Sequence, residues 1–205
     1  SCIRGGMAID QTMGLTPLEG LVMGTRSGDF DPAIIFHMVR EGMALDEVRT
    51  ILEKKSGLLG LSGVSRDLRD VLQAAEQGNE RATLAVEVFA HRAKKYVGAF
   101  LAELGTCDAL VFTGGIGENA ASMRERILDG LAPLGIELDA RKNDQRSREP
   151  FRITADGSKT SAWVISTNEE LMIARDTSRL IVQSQRSFRQ ATTETALRPA
   201  AARGR

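Results

Sequence analysis

The chain of 205 residues is long enough to bury a sizeable hydrophobic core, as one domain or as part of a larger one. Its composition, 42% hydrophobic and 26% charged, is ordinary for a globular protein, and its formal net charge of zero disfavours nucleic acid or an anionic membrane as a partner. Cys2 and Cys107 are isolated, which argues against a disulfide framework and favours a reducing, cytoplasmic location. No apolar run approaches the length of a membrane span.

The first residues are expected to form a strand that enters a turn at Gly5 and Gly6, followed by a returning strand over residues 7–10. The chain does not begin with methionine, and Ser1 directly precedes a strand. We therefore expect the chain to be a piece of a longer protein.

Helix signals dominate the next hundred residues. Thr16 can cap a helix that ends near Gly24, and Glu19 completes a capping box. Apolar periodicity predicts further helices over residues 32–40, 45–55, 65–75 and 80–104, with a flexible apolar loop over residues 57–63. Ser65 is the expected cap of the third of these helices. In the longest helix, His91 and the basic residues around it are expected to face solvent.

Residues 109–119 are predicted to form a buried strand, a glycine turn and the start of a helix capped by Asn119. Glycines let a ligand approach the main chain, and free N–H groups at a helix start bind anions. Taken alone, the stretch permits a turn without a ligand. It also permits a dinucleotide-binding G-x-G-x-x-A pattern, with Glu137 or Asp139 as the later acid.

The remaining chain alternates between the two kinds of element. The predicted elements are a helix over residues 120–131, strands over 135–139, 151–154 and 162–165, and a helix from 167 to about 182. This alternation predicts an α/β protein with a mixed or parallel sheet. Residues 184–205 lack periodicity and are predicted to be a disordered tail, which leaves residues 1–183 as one domain.

Two charged residues stand out at element junctions, where functional sites usually lie. Arg26 lies among small residues and could bind a phosphate with two parallel hydrogen bonds, or pair with Asp29 or Asp31. Glu169 could hold Mg²⁺ through waters, or simply stabilise the start of its helix.

Three blocks of the sequence together resemble the acetate kinases. They are residues 10–29 (DQTMGLTPLEGLVMGTRSGD), residues 112–119 (FTGGIGEN) and residues 167–170 (TNEE), in the order that the family has. The resemblance covers nearly all of residues 1–182. It favours ATP over a dinucleotide as the ligand of the glycine turn.

The resemblance implies the actin-like ATPase fold (acetate and sugar kinase, ribonuclease H-like), represented mostly by its C-terminal domain. The family transfers the γ-phosphoryl group of ATP to acetate with Mg²⁺, giving acetyl phosphate and ADP. Arg26 is then expected to stabilise the transition state, and Glu169 to hold the metal. The expected nucleotide-binding residues are Asp67, Leu68, Arg69, Gly115, Ile116, Gly117, Glu118 and Asn119.

The resemblance also implies partners. The family's N-terminal half, with the catalytic aspartate, is expected to lie outside this chain, and members usually pair through the half present here, so a homodimer is expected. Gln11 replaces a small hydroxyl residue of the family, for which we expect a mild effect. A propionate or butyrate kinase, and a catalytically incomplete nucleotide-binding or dimerisation fragment, remain open alternatives.

Overall fold

The computed structural model describes the backbone of residues 1–196 and the side chains of residues 1–185, and the chain divides into two units. The first unit, Ser1–Ser166, contains the strands β1 (Cys2–Arg4), β2 (Met7–Asp10), β3 (Ala109–Phe112), β4 (Phe151–Arg152) and β5 (Ser161–Val164). Its helices are α1 (Ala33–Arg40), α2 (Leu45–Lys54), α3 (Gly57–Ser62), α4 (Leu68–Glu76), α5 (Glu80–Leu104), α6 (Gly114–Asn119), α7 (Ala121–Leu128) and α8 (Ala140–Asn143). In the second unit, which begins at Thr167, the structure describes α9 (Glu169–Ala196).

The first unit contains a two-stranded ribbon and a three-stranded sheet. β1 and β2 pair antiparallel, as the glycine turn between them predicts. In the other sheet the order is β3-β5-β4, with β3 and β5 parallel and β4 and β5 antiparallel. The predicted mixed α/β sheet is therefore confirmed.

The core consists of two buried clusters, and side chains of the long helix α5 contact both of them. Apolar side chains of α3, α4, α5 and α7 form one buried cluster, with Leu58, Val71, Val86 and Met123 at most 2% exposed. A second cluster, which includes Ile136 and Val164, packs beneath the three-stranded sheet. Helix α5 was predicted with its observed bounds because its apolar stripe recurs at helical spacing over 25 residues.

Residues 16–24 form a loop, and the helix predicted there is wrong. The Thr16 hydroxyl accepts a hydrogen bond from the Leu18 amide at 3.3 Å, which is a local turn. Gly20 has a φ of +99°, and its Cα packs against the carbonyl of Thr12 so closely that a Cβ would collide with it. The capping signal at Thr16 does not produce a helix, because this close approach requires a glycine in the left-handed region, which ends any helix.

Two further predictions around α3 and α4 are corrected. Residues 57–62 form helix α3, not a flexible loop, because Leu58 is buried in the core and its burial stabilises a turn that local propensity does not favour. Helix α4 begins at Leu68, and its cap is Asp67, not Ser65. The Asp67 carboxylate accepts a hydrogen bond from the Arg69 amide at 2.9 Å.

The strand predicted over residues 135–139 is reduced to a single bridge between Leu138 and Thr154. Helix α7 ends at Leu128, earlier than predicted, and a short 3₁₀ turn that contains a proline follows it. The proline, Pro133, would interrupt an α-helix that continued through this turn.

In the second unit, the Asn168 side chain caps α9 by accepting a hydrogen bond from the Leu171 amide at 3.0 Å. The helix continues to Ala196, past the end predicted near Val182, so residues 184–196 are helical where a disordered tail was expected. Once a helix has formed, each added residue gains one hydrogen bond, which apolar periodicity does not report. Residues 197–205 of the predicted tail lie outside the described residues. No helix in the described part is long and apolar enough to cross a membrane.

Candidate functional site

Arg26 lies in a loop whose main chain is held from several sides. Its carbonyl accepts a hydrogen bond from the Met23 amide at 3.2 Å, and the following amide, of Ser27, donates to the Leu52 carbonyl of α2 at 3.1 Å. The Leu58 amide of α3 donates to the Met23 carbonyl at 2.9 Å. These bonds fix the backbone that carries Arg26.

The Arg26 side chain itself is exposed. Within the residues that the structure describes, its guanidinium makes no hydrogen bond or ion pair. The alternative in which Arg26 pairs with Asp29 or Asp31 is therefore not observed. A fixed main chain with a free guanidinium leaves all the donors of Arg26 available for an anionic ligand.

Asp29 connects the Arg26 loop to α5. Its carboxylate accepts hydrogen bonds from Arg92 and from the Tyr96 hydroxyl, each at 2.7 Å, and from the Gly20 amide at 2.8 Å. Arg92 also donates to the Asp29 main-chain carbonyl at 3.1 Å. The loop is therefore closed on itself at Gly20 and fastened to two side chains one turn apart on α5.

This network shifts the pKa of both Asp29 and Tyr96. Partial burial acts to raise the pKa of Asp29, but the hydrogen bonds from Tyr96, Gly20 and Arg92 outweigh it and hold the pKa below its ordinary value. Burial, together with the bond to the Asp29 carboxylate, raises the pKa of Tyr96 to about 12. At neutral pH the network consists of an ionised carboxylate, a guanidinium and a neutral phenol.

The second predicted segment, Asp67 to Arg69, forms the start of α4. Leu68 is buried, whereas Arg69 is exposed and its guanidinium bonds the Asp67 carboxylate with Nε–Oδ1 at 3.0 Å. The hydrogen bonds from Arg69 lower the pKa of Asp67 to about 2. The buried Leu68 therefore anchors the Asp67–Arg69 ion pair to the core.

The glycine stretch differs from its prediction, because it is itself the six-residue helix α6. The Gly114 amide donates to the Glu118 carboxylate at 2.9 Å, and the Asn119 side chain donates to the Gly115 carbonyl at 2.9 Å. Asn119 thus closes α6 and does not cap α7. A Cβ on Gly115 would meet nothing within 4 Å, whereas one on Gly117 would lie 3.1 Å from the main chain of Phe112. Gly115 therefore borders open space where a ligand can approach, and Gly117 packs against the end of β3.

A buried arginine holds the far end of this segment. Arg124 of α7 is 2% exposed, and its guanidinium donates to the carbonyls of Gly117 and Glu118 at 2.9 and 3.0 Å. Asn143 of α8 accepts a bond from Arg124 Nε at 2.8 Å. Burial lowers the pKa of Arg124, and the nearby Asp144 opposes that shift.

The predicted site consists of four segments: the Arg26 loop, residues 67–69, residues 115–119 and Glu169. The structure packs the first three of them around one core. Gly24, in the Arg26 loop, packs against the carbonyl of Arg66, the residue before Asp67. Leu68 of α4 belongs to the same buried cluster against which Ile116 of α6 packs. Glu169 is the first residue of α9 in the second unit, and its side chain is exposed.

Sequence reasoning missed the four residues that hold these segments: Arg92, Tyr96, Arg124 and Asn143. Arg92 was expected to face solvent among other basic residues, and Arg124 is likewise followed by two charged residues, Glu125 and Arg126. The available signal was the four-residue spacing of Arg92 and Tyr96, which places both on one helix face beside the apolar stripe. Asn143 gave no signal, because an isolated asparagine in a polar stretch is ordinary.

Comparisons with known proteins identify relatives of this chain. The model of the acetokinase family matches residues 1–175. The acetate kinase of Halothermothrix orenii is 55% identical over 182 residues, which are 88% of this chain and 46% of the relative. The acetate kinase of Dictyoglomus turgidum is 56% identical, over 88% of this chain and 45% of that protein.

Solved structures are similar as well. The acetate kinase of Porphyromonas gingivalis matches with a TM-score of 0.82 and 46% identity, over 87% of this chain and 45% of that chain. A propionate kinase from Francisella tularensis matches with a TM-score of 0.78 and 47% identity, over 84% and 44%. These likenesses confirm the predicted actin-like α/β fold. The chain spans less than half the length of the relatives it matches. With its family model matched over most of its length, this chain belongs to the acetokinase family.

Proposed function

We propose that this chain is the nucleotide-binding part of an acetate kinase, which transfers the γ-phosphoryl group of ATP to acetate. A carboxylate oxygen of acetate attacks the γ-phosphorus, the bond from that phosphorus to the β–γ bridging oxygen breaks, and acetyl phosphate and ADP form. This reaction depends mainly on positioning the reactants and neutralising charge on the transferred group. Membership of the acetokinase family supports the assignment.

The observation that carries the proposal is the state of Arg26. The loop that carries it is held by hydrogen bonds from Ser27 to α2 and from α3 to Met23, while the Arg26 guanidinium is exposed and unpaired within the described residues. A cation that projects from a held main chain is available to stabilise the charge that develops on a phosphoryl group. We assign to Arg26 the stabilisation of the transition state.

We assign nucleotide binding to the start of α4 and to α6. Asp67, Leu68 and Arg69 would lie beside the adenosine. The segment from Gly115 to Asn119 would meet the nucleotide through its main chain, which the open space at Gly115 permits. Glu118 and Asn119 would act mainly by shaping α6, since their side chains bond its main chain.

We assign Mg²⁺ to Glu169. No group of three or more histidine, cysteine, aspartate or glutamate side chains that could hold a metal occurs in the described part of the chain. Mg²⁺ usually keeps several waters and uses one or two carboxylates together with the substrate's phosphates, and a single exposed carboxylate fits that mode. When bound, the ion would neutralise charge on the phosphates.

The proposal is tested in two steps. Isothermal titration of this chain with ADP is expected to show weak binding, and the chain alone is expected not to form acetyl phosphate. A hybrid in which the chain replaces the matching segment of the Halothermothrix orenii enzyme is expected to turn over acetate. A chain that binds no adenine nucleotide, or a folded hybrid without acetate kinase activity, would contradict the proposal.

A second candidate is a kinase for propionate or butyrate, which the likeness to a propionate kinase favours. Rates with acetate, propionate and butyrate, measured on the complete protein that contains this chain, would separate the candidates. If that complete protein binds nucleotide but phosphorylates none of the three, a catalytically incomplete binding or dimerisation fragment is the better description.

We also propose a homodimer in the cytoplasm. Helix α1 has no buried residue and exposes Ile34, Phe36 and Val39, apolar side chains that are available for pairing. Both cysteines are free, as expected in a reducing compartment. Size-exclusion chromatography is expected to give a dimer or larger species, and a clean, salt-independent monomer would contradict this.

A further inference from the structure

We propose that Asn143, acting through Arg124, is a positioning residue for the glycine segment α6, and that it sets the affinity of this segment for the nucleotide. The inference rests on the proposed function for its ligand, and on the geometry alone for its mechanism. Asn143 lies 24 positions beyond Asn119 in the sequence and outside every block that resembles the family.

The first step concerns the carbonyls at the end of α6. A six-residue helix leaves most of its last carbonyls without partners inside the helix. Arg124 supplies partners to two of them, since its Nη1 bonds the Gly117 and Glu118 carbonyls at 2.9 and 3.0 Å. The position of the guanidinium therefore determines where the end of α6 lies.

The second step concerns what holds the guanidinium. Asn143 is 4% exposed and accepts two of its hydrogen bonds, one from Nε at the side-chain oxygen (2.8 Å) and one from Nη2 at the main-chain carbonyl (2.6 Å). The Asn143 amide nitrogen donates to the Ala121 carbonyl at 2.9 Å, in the first turn of α7. Asn143 therefore fixes both the plane of the guanidinium and the helix that carries it.

The third step concerns charge. No carboxylate forms an ion pair with Arg124 among the described residues, although Asp144 lies near enough to influence it. A neutral amide orients the guanidinium without neutralising it, so the full positive charge faces the α6 carbonyls. Hydrogen bonds that involve a charged group are stronger than those between neutral groups. Losing Asn143 would leave a buried cation partly unsatisfied, and α6 would lose its anchor.

The test compares Asn143→Ala with a matched control. Asn79→Ala removes another asparagine bond, the cap in which the Asn79 side chain accepts from the Ala82 amide at 3.0 Å, far in sequence from α6. Amide hydrogen exchange of residues 114–120 and ADP titration are measured on the chain with each substitution. Asn143→Ala is expected to speed exchange there and to weaken ADP binding by about tenfold, whereas Asn79→Ala is expected to change neither.

Two further variants make the result decisive. Asn143→Asp keeps an acceptor for Arg124 Nε but loses the donor to the Ala121 carbonyl, so its exchange is expected to lie between that of the unmodified chain and that of Asn143→Ala. If Asn143→Ala does not fold, Arg124→Lys carries the same test, because lysine keeps the charge but cannot make the forked bonds. Equal local effects of Asn143→Ala and Asn79→Ala, or unchanged exchange in Arg124→Lys, would overturn the proposal. If the unmodified chain binds no ADP, the proposed function fails, while the exchange data still decide whether Asn143 positions α6.

Discussion

Two segments of the first unit are each held by an arginine that projects from a helix, but the two arginines have partners of different kinds. Arg92 of α5 bonds the carboxylate of Asp29 and so fastens the loop that carries Arg26. Arg124 of α7 bonds main-chain carbonyls and a neutral amide, and so fastens α6. The Arg92 side chain is 24% exposed, whereas Arg124 is 2% exposed as a residue.

Because of this difference, the two segments are expected to respond differently to pH. The bond to Asp29 depends on an ionised carboxylate, so acid weakens it. The bonds around Arg124 involve no group that titrates near neutral pH, so the position of α6 is expected to be insensitive to pH. The loop that we assign to catalysis is thus fastened by a titratable contact, and the segment that we assign to nucleotide binding is not.

The largest expected effect separates the two assigned roles. Arg26→Ala, in the hybrid enzyme described above, is expected to lower kcat about 10³-fold, the range found when a transition-state arginine is lost in phosphoryl transfer. ADP affinity of this chain is expected to stay unchanged, because ADP lacks the transferred phosphoryl group. Arg40→Ala, at the exposed end of α1, is the matched control. An unchanged kcat would remove Arg26 from the mechanism.

The next prediction concerns the packing of the Arg26 loop. Gly57 has a φ of +63°, and a Cβ there would collide with the Met23 carbonyl and lie 2.7 Å from the Arg26 carbonyl. Gly57→Ala is expected to lower the free energy of unfolding by about 3 kcal/mol, from backbone strain plus overpacking. Gly42 has a φ of +96° but open space around it, so Gly42→Ala is expected to lower the free energy of unfolding by only about 1 kcal/mol. Urea denaturation measures both, and equal losses would contradict the packing argument.

A third prediction tests the Asp29 network directly. Tyr96 is the only tyrosine of the chain, so tyrosinate absorbance reports its ionisation alone. A midpoint of about 12 is expected. In Asp29→Asn the midpoint is expected to fall, because the carboxylate charge is gone, but to stay above the ordinary value of 10.0, because burial remains the larger cause. An unchanged midpoint would show that Asp29 does not act on Tyr96.

The smallest effect is on acid stability. Since the pKa of Asp29 is lower in the folded chain than in the unfolded chain, its contribution is complete above the unfolded pKa of about 4 and is lost as pH falls through the folded pKa. Thermal unfolding between pH 7 and pH 3 is expected to show a smaller fall in Tm for Asp29→Asn than for the unmodified chain. Asp67→Asn is the comparison variant, because the Asp67 carboxylate also has a lowered folded pKa, of about 2, but lies at the surface. A parallel fall in the Asp29→Asn and unmodified chains would contradict the assigned role of Asp29.

Local patterns predicted the elements that depend on local interactions. The apolar stripe of α5 predicted its bounds, and the Gly5–Gly6 turn predicted the β1–β2 ribbon. Predictions failed where distant residues decide the conformation. Thr16 carries every sign of a helix start, but the close contact of Gly20 with Thr12 makes that region a loop. Leu58 lies in a glycine-rich stretch, but its burial makes that stretch a helix.

By itself, the sequence determined the family, the order of its blocks and the residues that we assign to the chemistry. These features were recognisable because they lie in contiguous segments, such as residues 10–29 and 112–119. Only the tertiary structure decided what holds those runs in place. Asp29 with Arg92 and Tyr96, and Arg124 with Asn143, join positions between 19 and 67 residues apart. Such contacts depend on how helices pack, and single polar residues carry no periodic signal from which the packing could be inferred.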